Sequence, residues 1–173
     1  EESLYLAFVF SYLYLWTVSP EVWPPLGSPA LPPLDWPALA GLLLVLSGAS
    51  FVAANRALPA PGQRGWLAAA ALVTGAVCLA AGIGAEFWGH WRTGLRPDAN
   101  AHGAMVYMAV VLAAQIAIAV VIMAFYAAAR TLTRRLDRDW RNSFDHVALL
   151  AHYSVGQGLV GLVLVHGFPR MVG

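Results

Sequence analysis

The sequence predicts an all-α integral membrane protein, built as a bundle of five transmembrane helices. Two observations lead to this prediction: the chain is 60% hydrophobic and only 11% charged, and almost every charge lies between five long apolar blocks. A soluble domain of this size would carry about 25% charged residues. Because backbone groups in lipid must form hydrogen bonds within their own segment, apolar blocks of about 20 residues are expected to be helices.

The five blocks are expected to form one transmembrane domain over residues 1–173. The predicted helices run over residues 3–19, 36–55, 66–88, 102–130 and 146–167. Between the first two helices, prolines stand at positions 20, 24, 25, 29, 32, 33 and 37. Since proline fixes φ and lacks an N–H donor, this stretch predicts an extended interfacial segment and not a helix.

The first block differs from the others, because Glu1 and Glu2 lead straight into it. A signal peptide would show a basic flank and a small-residue cleavage site, and neither is visible. We interpret Glu1 as the clipped or processed end of a helix that was once longer. The alternative is a short, tilted first helix whose two carboxylates lie at the membrane interface.

The arginines predict the orientation of the bundle, since the chain has ten of them and no lysine. Seven lie in the connections between helices two and three and between helices four and five, at positions 56, 64, 130, 134, 135, 138 and 141, whereas Arg92, Arg96 and Arg170 lie on the opposite side. Cytoplasmic loops carry an excess of basic residues, so both Arg-rich loops are expected in the cytoplasm and the C-terminus outside. Topology and anionic lipid headgroups explain the basic stretch, so no nucleic-acid partner is predicted.

Small residues dominate the predicted helices, above all the third, with its repeated Ala and Gly, and the fifth, with Gly156, Gly158 and Gly161. Small side chains let helix backbones approach closely in lipid, so these positions are expected at helix–helix contacts. The single cysteine, Cys78, lies inside the third helix and is interpreted as a packing residue.

Three ionisable residues are the candidate buried or interfacial polar positions: Glu1, Glu86 and His152. An ionisable group within a membrane is a functional candidate by default. Glu86 lies near the outer end of the third helix, where it either belongs to a proton or polar network or pairs with His90, His102 or Arg92. His152 lies about two turns into the last helix.

The five histidines do not predict a metal or haem site. Haem between helices needs axial ligands on facing helices at matched depth, and only His102 and His166 come near that arrangement. Zinc and copper need three or four clustered ligands, which only the trio of His90, His102 and His166 approaches. We also find no Gly-rich phosphate loop and no Ser/His/Asp spacing, so no catalytic, cofactor-binding or metal-binding residue is predicted.

Several short motifs follow one another along the chain: Glu1 with Phe10-Ser11-Tyr12, Trp23-Pro24-Pro25-Leu26-Gly27, Ser47-Gly48-Ala49-Ser50, Gly84-Ala85-Glu86-Phe87, Leu150-Ala151-His152-Tyr153 and Val165-His166-Gly167-Phe168-Pro169-Arg170. Taken in this order, they resemble cytochrome c oxidase subunit III of the haem–copper oxidase superfamily. The resemblance covers essentially the whole chain. The closing motif is more similar to the bacterial versions, including those in which subunits I and III are fused.

The resemblance implies a five-helix subunit III, non-catalytic and without a cofactor of its own. It would lie in a bacterial cytoplasmic membrane and pack on oxidase subunit I and other respiratory-complex subunits. Haem and copper are expected in the partner subunits, which would reduce oxygen to water and pump protons. This chain would bind membrane phospholipids in its helix cleft and support oxygen access and proton uptake. Glu1 would be the family's buried carboxylate, and Glu86 a structural acid near the outer surface.

Three departures from the family pattern affect its polar residues. The family's Phe-His-Gly-Leu-His run is replaced by residues 112–116, its Trp-Ala-His-His run by residues 52–56, and the Asp after the last-helix His by Val155. These losses leave open an accessory or assembly protein of a related oxidase or of nitric oxide reductase. A b-type cytochrome membrane anchor and a small solute carrier are further alternatives, although no internal repeat of the kind found in carriers is visible.

Overall fold

The computed structural model describes residues 2–23 and 33–172, and these residues form an all-helical bundle. The helices are α1 (Glu2–Val18), α2 (Asp35–Arg56), α3 (Trp66–Arg92), α4 (Ala101–Leu132) and α5 (Asn142–Leu162), followed by a π-helical turn (Val163–Gly167) and a short α6 (Phe168–Val172). The last three elements follow one another without a break, so the rod continues to the end of the described chain. No β-strand occurs within the described ranges.

Four helices are long and apolar enough to cross a membrane: α2, α3, α4 and the continuous rod Asn142–Met171. The first helix has 17 residues, about 25 Å at ~1.5 Å per residue, and is therefore shorter than the ~30 Å hydrocarbon core. Five apolar helices confirm the predicted all-α membrane bundle.

The main core lies between α2, α3, α4 and α5. Phe51 of α2, Leu72 of α3 and Val120 of α4 are completely buried in it. Small residues bring the backbones together at the expected contacts. A Cβ atom at Gly75 would lie 2.8 Å from the ring of Phe51, and one at Gly158 would lie 2.8 Å from a methyl group of Leu44.

Helix α1 packs through a second, aromatic cluster against α4 and the π-helical turn. Tyr5, Phe8 and Tyr12 are buried there together with Trp23 and Val165. The Tyr5 hydroxyl donates a hydrogen bond to the backbone carbonyl of Gln157 (2.9 Å). The indole N–H of Trp23 donates to the Tyr12 hydroxyl (3.3 Å). Aromatic packing and these two bonds thus attach α1 to the other helices.

The proline-rich connection departs from the extended segment that the sequence predicts. Pro20–Val22 forms one turn of 3₁₀ helix, because the fixed φ of proline also suits the first position of a helical turn. Pro37 lies in the first turn of α2, where a missing N–H interrupts no helical hydrogen bond. Residues 24–32 of this connection lie outside the described residues.

Two helices extend further than the hydropathy pattern indicates. Helix α3 continues past Trp88 to Arg92, and α5 begins at Asn142, before His146. Polar pairs four residues apart support both extensions: His90 with Glu86 (3.0 Å), and Arg141 with Asp145 (2.7 Å). Hydropathy marks only the lipid-facing part of a helix, whereas such pairs stabilise turns beyond it.

Both Arg-rich connections lie at the same end of the bundle, which we call the arginine end. The Arg138 guanidinium donates to the Leu58 carbonyl (2.9 Å), and Arg141 donates to the Asn55 side chain (3.0 Å). These bonds join the α4–α5 connection to the C-terminal end of α2. The opposite end, where α3 finishes and α4 begins, contains three buried histidines and is called the histidine end.

Candidate functional site

The histidine end contains a buried cluster of one carboxylate and three imidazoles. Glu86 and His90 lie on α3, His102 lies in the first turn of α4, and His166 lies in the π-helical turn. The four-residue spacing of Glu86 and His90 places them on the same face of α3. The residue exposures of His90, His102 and His166 are 1%, 2% and 3%. The elements that converge here therefore bury four ionisable side chains beside one another.

A single carboxylate oxygen joins α3 to the last helix. Glu86 Oε1 lies 3.0 Å from His90 Nε2 and 2.6 Å from His166 Nε2. Each imidazole donates to the carboxylate when its Nε2 carries the proton. The two rings stack with 13° between their planes and 5.0 Å between their centroids. The Glu86 side chain is 14% exposed, so the carboxylate is the most accessible member of this triad.

The π-helical turn positions His166 for this contact. It inserts a wider turn, Val163–Gly167, into an otherwise α-helical rod. Such a turn shifts the angular phase of the residues after it, and single π turns occur frequently at functional sites. The Arg170 guanidinium donates to the His166 carbonyl (2.7 Å), which satisfies a backbone acceptor of this turn.

His102 is the fourth member of the cluster and lacks a hydrogen-bond partner among the described residues at either ring nitrogen. Its ring lies between aromatic neighbours, 5.4 Å from the Trp23 ring and 6.4 Å from the Tyr12 ring. Its ring nitrogens do not belong to the group of ligand atoms that Glu86, His90 and His166 bring within 4.8 Å of one another. A buried polar atom without a partner is rare enough in proteins to need an explanation.

The first turn of α4, which carries His102, is fixed by two hydrogen bonds. The Asn100 side chain accepts a bond from the Gly103 amide (2.7 Å) and so caps the helix. The Tyr107 hydroxyl donates to the Leu95 carbonyl (2.8 Å), which ties the α3–α4 connection to α4. His102 is thus held on a well-ordered helix start beside the Glu86 triad.

The cluster can act chemically in two ways. A carboxylate shared by two imidazoles can hold and exchange a proton at the edge of the membrane. The same three residues also offer one ligand atom each, all within 4.8 Å of one another, in the manner of a metal site. The single thiol, Cys78, lies elsewhere in α3 and is not a member of this group.

The structure places the candidate residues predicted from the sequence in different surroundings. Glu86 pairs with His90, one of the partners considered, and with His166, which was not considered. Arg92 instead places its guanidinium 5.9 Å from the Trp36 ring centroid. His152 is exposed on the outer face of α5, where its Nδ1 lies 2.6 Å from the Ala148 carbonyl oxygen. Glu1 lies outside the described residues.

Buried polar groups elsewhere in the bundle were not identified from sequence. The Ser47 hydroxyl donates to the Gly75 carbonyl (2.8 Å) between α2 and α3. The side chains of Ser154 and Gln157 are also buried. Gln115, a polar residue near the middle of α4, is exposed. Glutamine and serine thus lie both on the outer surface and inside this bundle, so composition alone could not separate these positions.

An apolar cleft lies next to the cluster, between α1 and the four-helix core. Six of its lining residues come from five helices: Tyr5, Leu44, Gly82, Ala109, Gln157 and Gly161. Glu86 contributes to the same lining and so places its carboxylate at the cleft.

The comparison with protein families supports the resemblance seen in the motifs. The family model for cytochrome c oxidase subunit III matches residues 2–164. The match includes Glu86, His90 and His102, whereas His166 lies just beyond it. No curated protein matches the chain.

Proposed function

Because this chain belongs to the cytochrome c oxidase subunit III family, we propose that it is the non-catalytic subunit III of a bacterial haem–copper terminal oxidase. The family match over residues 2–164 carries this proposal. The haem and copper of the partner subunits would reduce oxygen and drive proton pumping. This chain would stabilise the catalytic subunit and contribute no bond-breaking residue.

The outer surface of the bundle supports a role inside a larger membrane complex. Large apolar side chains project from it on several helices, including Phe10 of α1 (70% exposed), Ile122 of α4 (64%) and Leu149 of α5 (70%). Lipid and a neighbouring transmembrane subunit can both cover such surfaces. The proposed neighbours are oxidase subunit I and other respiratory-complex subunits.

The apolar cleft supports a second part of the proposal, that phospholipid acyl chains occupy it. Its lining is mostly aliphatic and small, and its cavity volume is about 30 Å³. This is room for a small apolar molecule, so an acyl chain would enter by parting α1 from the core. Since oxygen is apolar, the same cleft would also admit it toward a neighbouring catalytic subunit.

Support for proton uptake is the third part of the proposal and rests on the two acids that the resemblance singles out. Glu1 would serve as the family's buried carboxylate, by resemblance. Glu86, at the histidine end, would be a structural acid that holds α3 against the last helix.

We further propose that the arginine end faces the cytoplasm and the histidine end the periplasm. The excess of arginine at one end supports this orientation through the positive-inside rule. Both Arg-rich connections meet there through Arg138 and Arg141. The bundle would then lie in the bacterial cytoplasmic membrane with its C-terminus in the periplasm.

Co-purification of the tagged chain in a gentle detergent tests the proposal. We expect haem-bearing oxidase subunits in the eluate, together with oxygen consumption that ceases when the haem-bearing subunits are removed. The isolated chain should show no haem band in a reduced-minus-oxidised spectrum. Co-purification with a nitric oxide reductase would favour the accessory protein, which the lost polar residues of the family pattern suggest. A haem band from the isolated chain would favour the b-type anchor instead.

A further inference from the structure

We propose that Glu86, His90 and His166 form a zinc-class metal site, with His102 as the fourth ligand. This inference does not depend on the proposed oxidase role, since it concerns only groups within this chain. It adds a bound metal ion to a bundle whose sequence predicts none.

The ligand atoms already converge. Glu86, His90 and His166 each offer one ligand atom, and these three atoms lie within 4.8 Å of one another. Zinc binds nitrogen and carboxylate oxygen at about 2.0–2.2 Å in a tetrahedral arrangement, which separates neighbouring ligand atoms by roughly 3.3 Å. The two imidazole-to-carboxylate distances are 3.0 Å and 2.6 Å. Both would need to widen by less than about 1 Å, which rotation of side chains can provide.

His102 gives an independent indication of a ligand. It is 2% exposed, and neither of its ring nitrogens has a hydrogen-bond partner among the described residues. It lies outside the group of ligand atoms within 4.8 Å of one another, so its ring would have to turn toward the triad to complete the site. Burial of an imidazole without a hydrogen-bond partner costs free energy, because the ring nitrogens lose their bonds to water and form no others. Coordination of a metal ion by one ring nitrogen would remove this deficit.

The backbone around the cluster is built to hold such a set. Glu86 and His90 occupy successive turns of α3, and His166 is carried inward by the π-helical turn. The stacked rings of His90 and His166 present their Nε2 atoms to the same point. Three of the four side chains thus come from two helices that the metal ion would join, and the fourth comes from the capped start of α4.

The donor set selects the class of metal. Imidazole nitrogens suit zinc and similar first-row ions, whereas magnesium and calcium prefer oxygen ligands. Haem would need two imidazoles on opposite faces of one ring, but His90 and His166 approach the same carboxylate oxygen from one side. Two imidazoles and a carboxylate are a ligand set that zinc accepts, and a third imidazole would fill the fourth position of a tetrahedral site.

The competing description is a hydrogen-bonded triad without metal. In it Glu86 accepts from both imidazoles, and the Nδ1 atoms of His90 and His166 remain buried without a partner among the described residues. The two descriptions are distinguished by the metal content of the chain and by whether zinc displaces cobalt(II) from the site.

The test uses the full chain in detergent, stripped with a chelator and then titrated with zinc or cobalt(II). We expect one zinc ion per chain by elemental analysis and cobalt(II) absorption bands typical of tetrahedral coordination, which zinc abolishes. His166→Ala and Glu86→Gln should each weaken zinc binding by at least about 100-fold. His146→Ala and His152→Ala, two exposed histidines outside the cluster, are the matched controls and should bind as the unaltered chain does.

His102→Ala tests the fourth ligand and should weaken binding at least about tenfold while the tetrahedral cobalt bands disappear. Unchanged affinity and bands in His102→Ala would overturn the four-ligand site. Absence of zinc and of cobalt bands from the unaltered chain would overturn the proposal as a whole, whether or not the variants fold. The proposal would also be overturned if His166→Ala still bound zinc while the two control substitutions abolished zinc binding.

Discussion

The imidazole rings of His90 and His166 stack 5.0 Å apart, at an angle of 13°, although 76 positions separate them in the chain. Glu86 holds both rings through one carboxylate oxygen. The pair therefore closes the histidine end of the bundle by joining α3 to the last helix. Hydrogen bonds in this buried setting are less exposed to competition from water than those on the surface.

Removal of the shared carboxylate should loosen this end. Glu86→Ala takes away the acceptor of two buried imidazoles and leaves both without a partner at Nε2. We expect the free energy of unfolding to fall by about 3 kcal/mol, since each buried group left unpaired costs ~1–3 kcal/mol. Thermal or denaturant unfolding in detergent, followed by circular dichroism, measures it. The control is Glu21→Ala, at an exposed position. Equal stability of the two variants would contradict a stabilising role for the contact of Glu86 with His90 and His166.

Glycine at position 75 should be essential for the contact between α2 and α3. Gly75→Ala places a Cβ atom 2.8 Å from the ring of Phe51, which is itself completely buried. Overpacking of this kind costs about 1–3 kcal/mol. The control is Gly84→Ala on the same helix, where the added atom meets nothing within 4 Å among the described residues. Unfolding measurements should show a loss of stability for the first variant only. Loss in both variants would indicate a general intolerance of α3 to substitution.

The hydrogen bond from Ser47 to the Gly75 carbonyl should make a small contribution between α2 and α3. Ser47→Ala removes a buried donor, and interhelical bonds in membranes are worth about 0.6 kcal/mol and at most ~1.7 kcal/mol. Ser50→Ala is the control, because that hydroxyl bonds within its own helix to the Leu46 carbonyl (2.7 Å). The difference between the two unfolding free energies isolates the interhelical bond. A larger loss from Ser50→Ala would show that this bond is not the source of the effect.

The proposed orientation predicts opposite labelling at the two ends. In a background with Cys78→Ser, single cysteines are introduced at Gln63, at the arginine end, and at Asp98, at the histidine end; both positions are exposed. A membrane-impermeant maleimide should label Asp98→Cys in intact spheroplasts. It should label Gln63→Cys only after the membrane is opened. The reverse pattern would place the arginine end in the periplasm and overturn the orientation, while leaving the fold unaffected.

The apolar blocks and the arginines predicted the helices and the shared arginine end, because both signals are local. Transfer into lipid depends on the composition of each segment alone. Helix ends were harder to place, as α3 and α5 show: their extra turns carry His90 and Asp145, whose pairing with Glu86 and Arg141 hydropathy does not register.

Only part of the histidine-end cluster could be predicted from the sequence. The four-residue spacing of Glu86 and His90 fits one face of an α-helix, and His90 was one of three partners that the sequence left open for Glu86. His166, by contrast, comes from 80 positions away from Glu86. Its inward direction depends on a π-helical turn for which the residues Val163–Gly167 give no recognised signal.

By itself, then, the sequence determined that this is a membrane bundle of apolar helices, and which residues could carry charge within it. Only the tertiary structure decided which of these residues meet. The reason is physical: hydropathy acts on each segment separately, whereas the positions of α3 and the last helix depend on how closely each packs on α2, at small residues such as Gly75 and Gly158. These contacts set the helix positions that bring Glu86, His90 and His166 together.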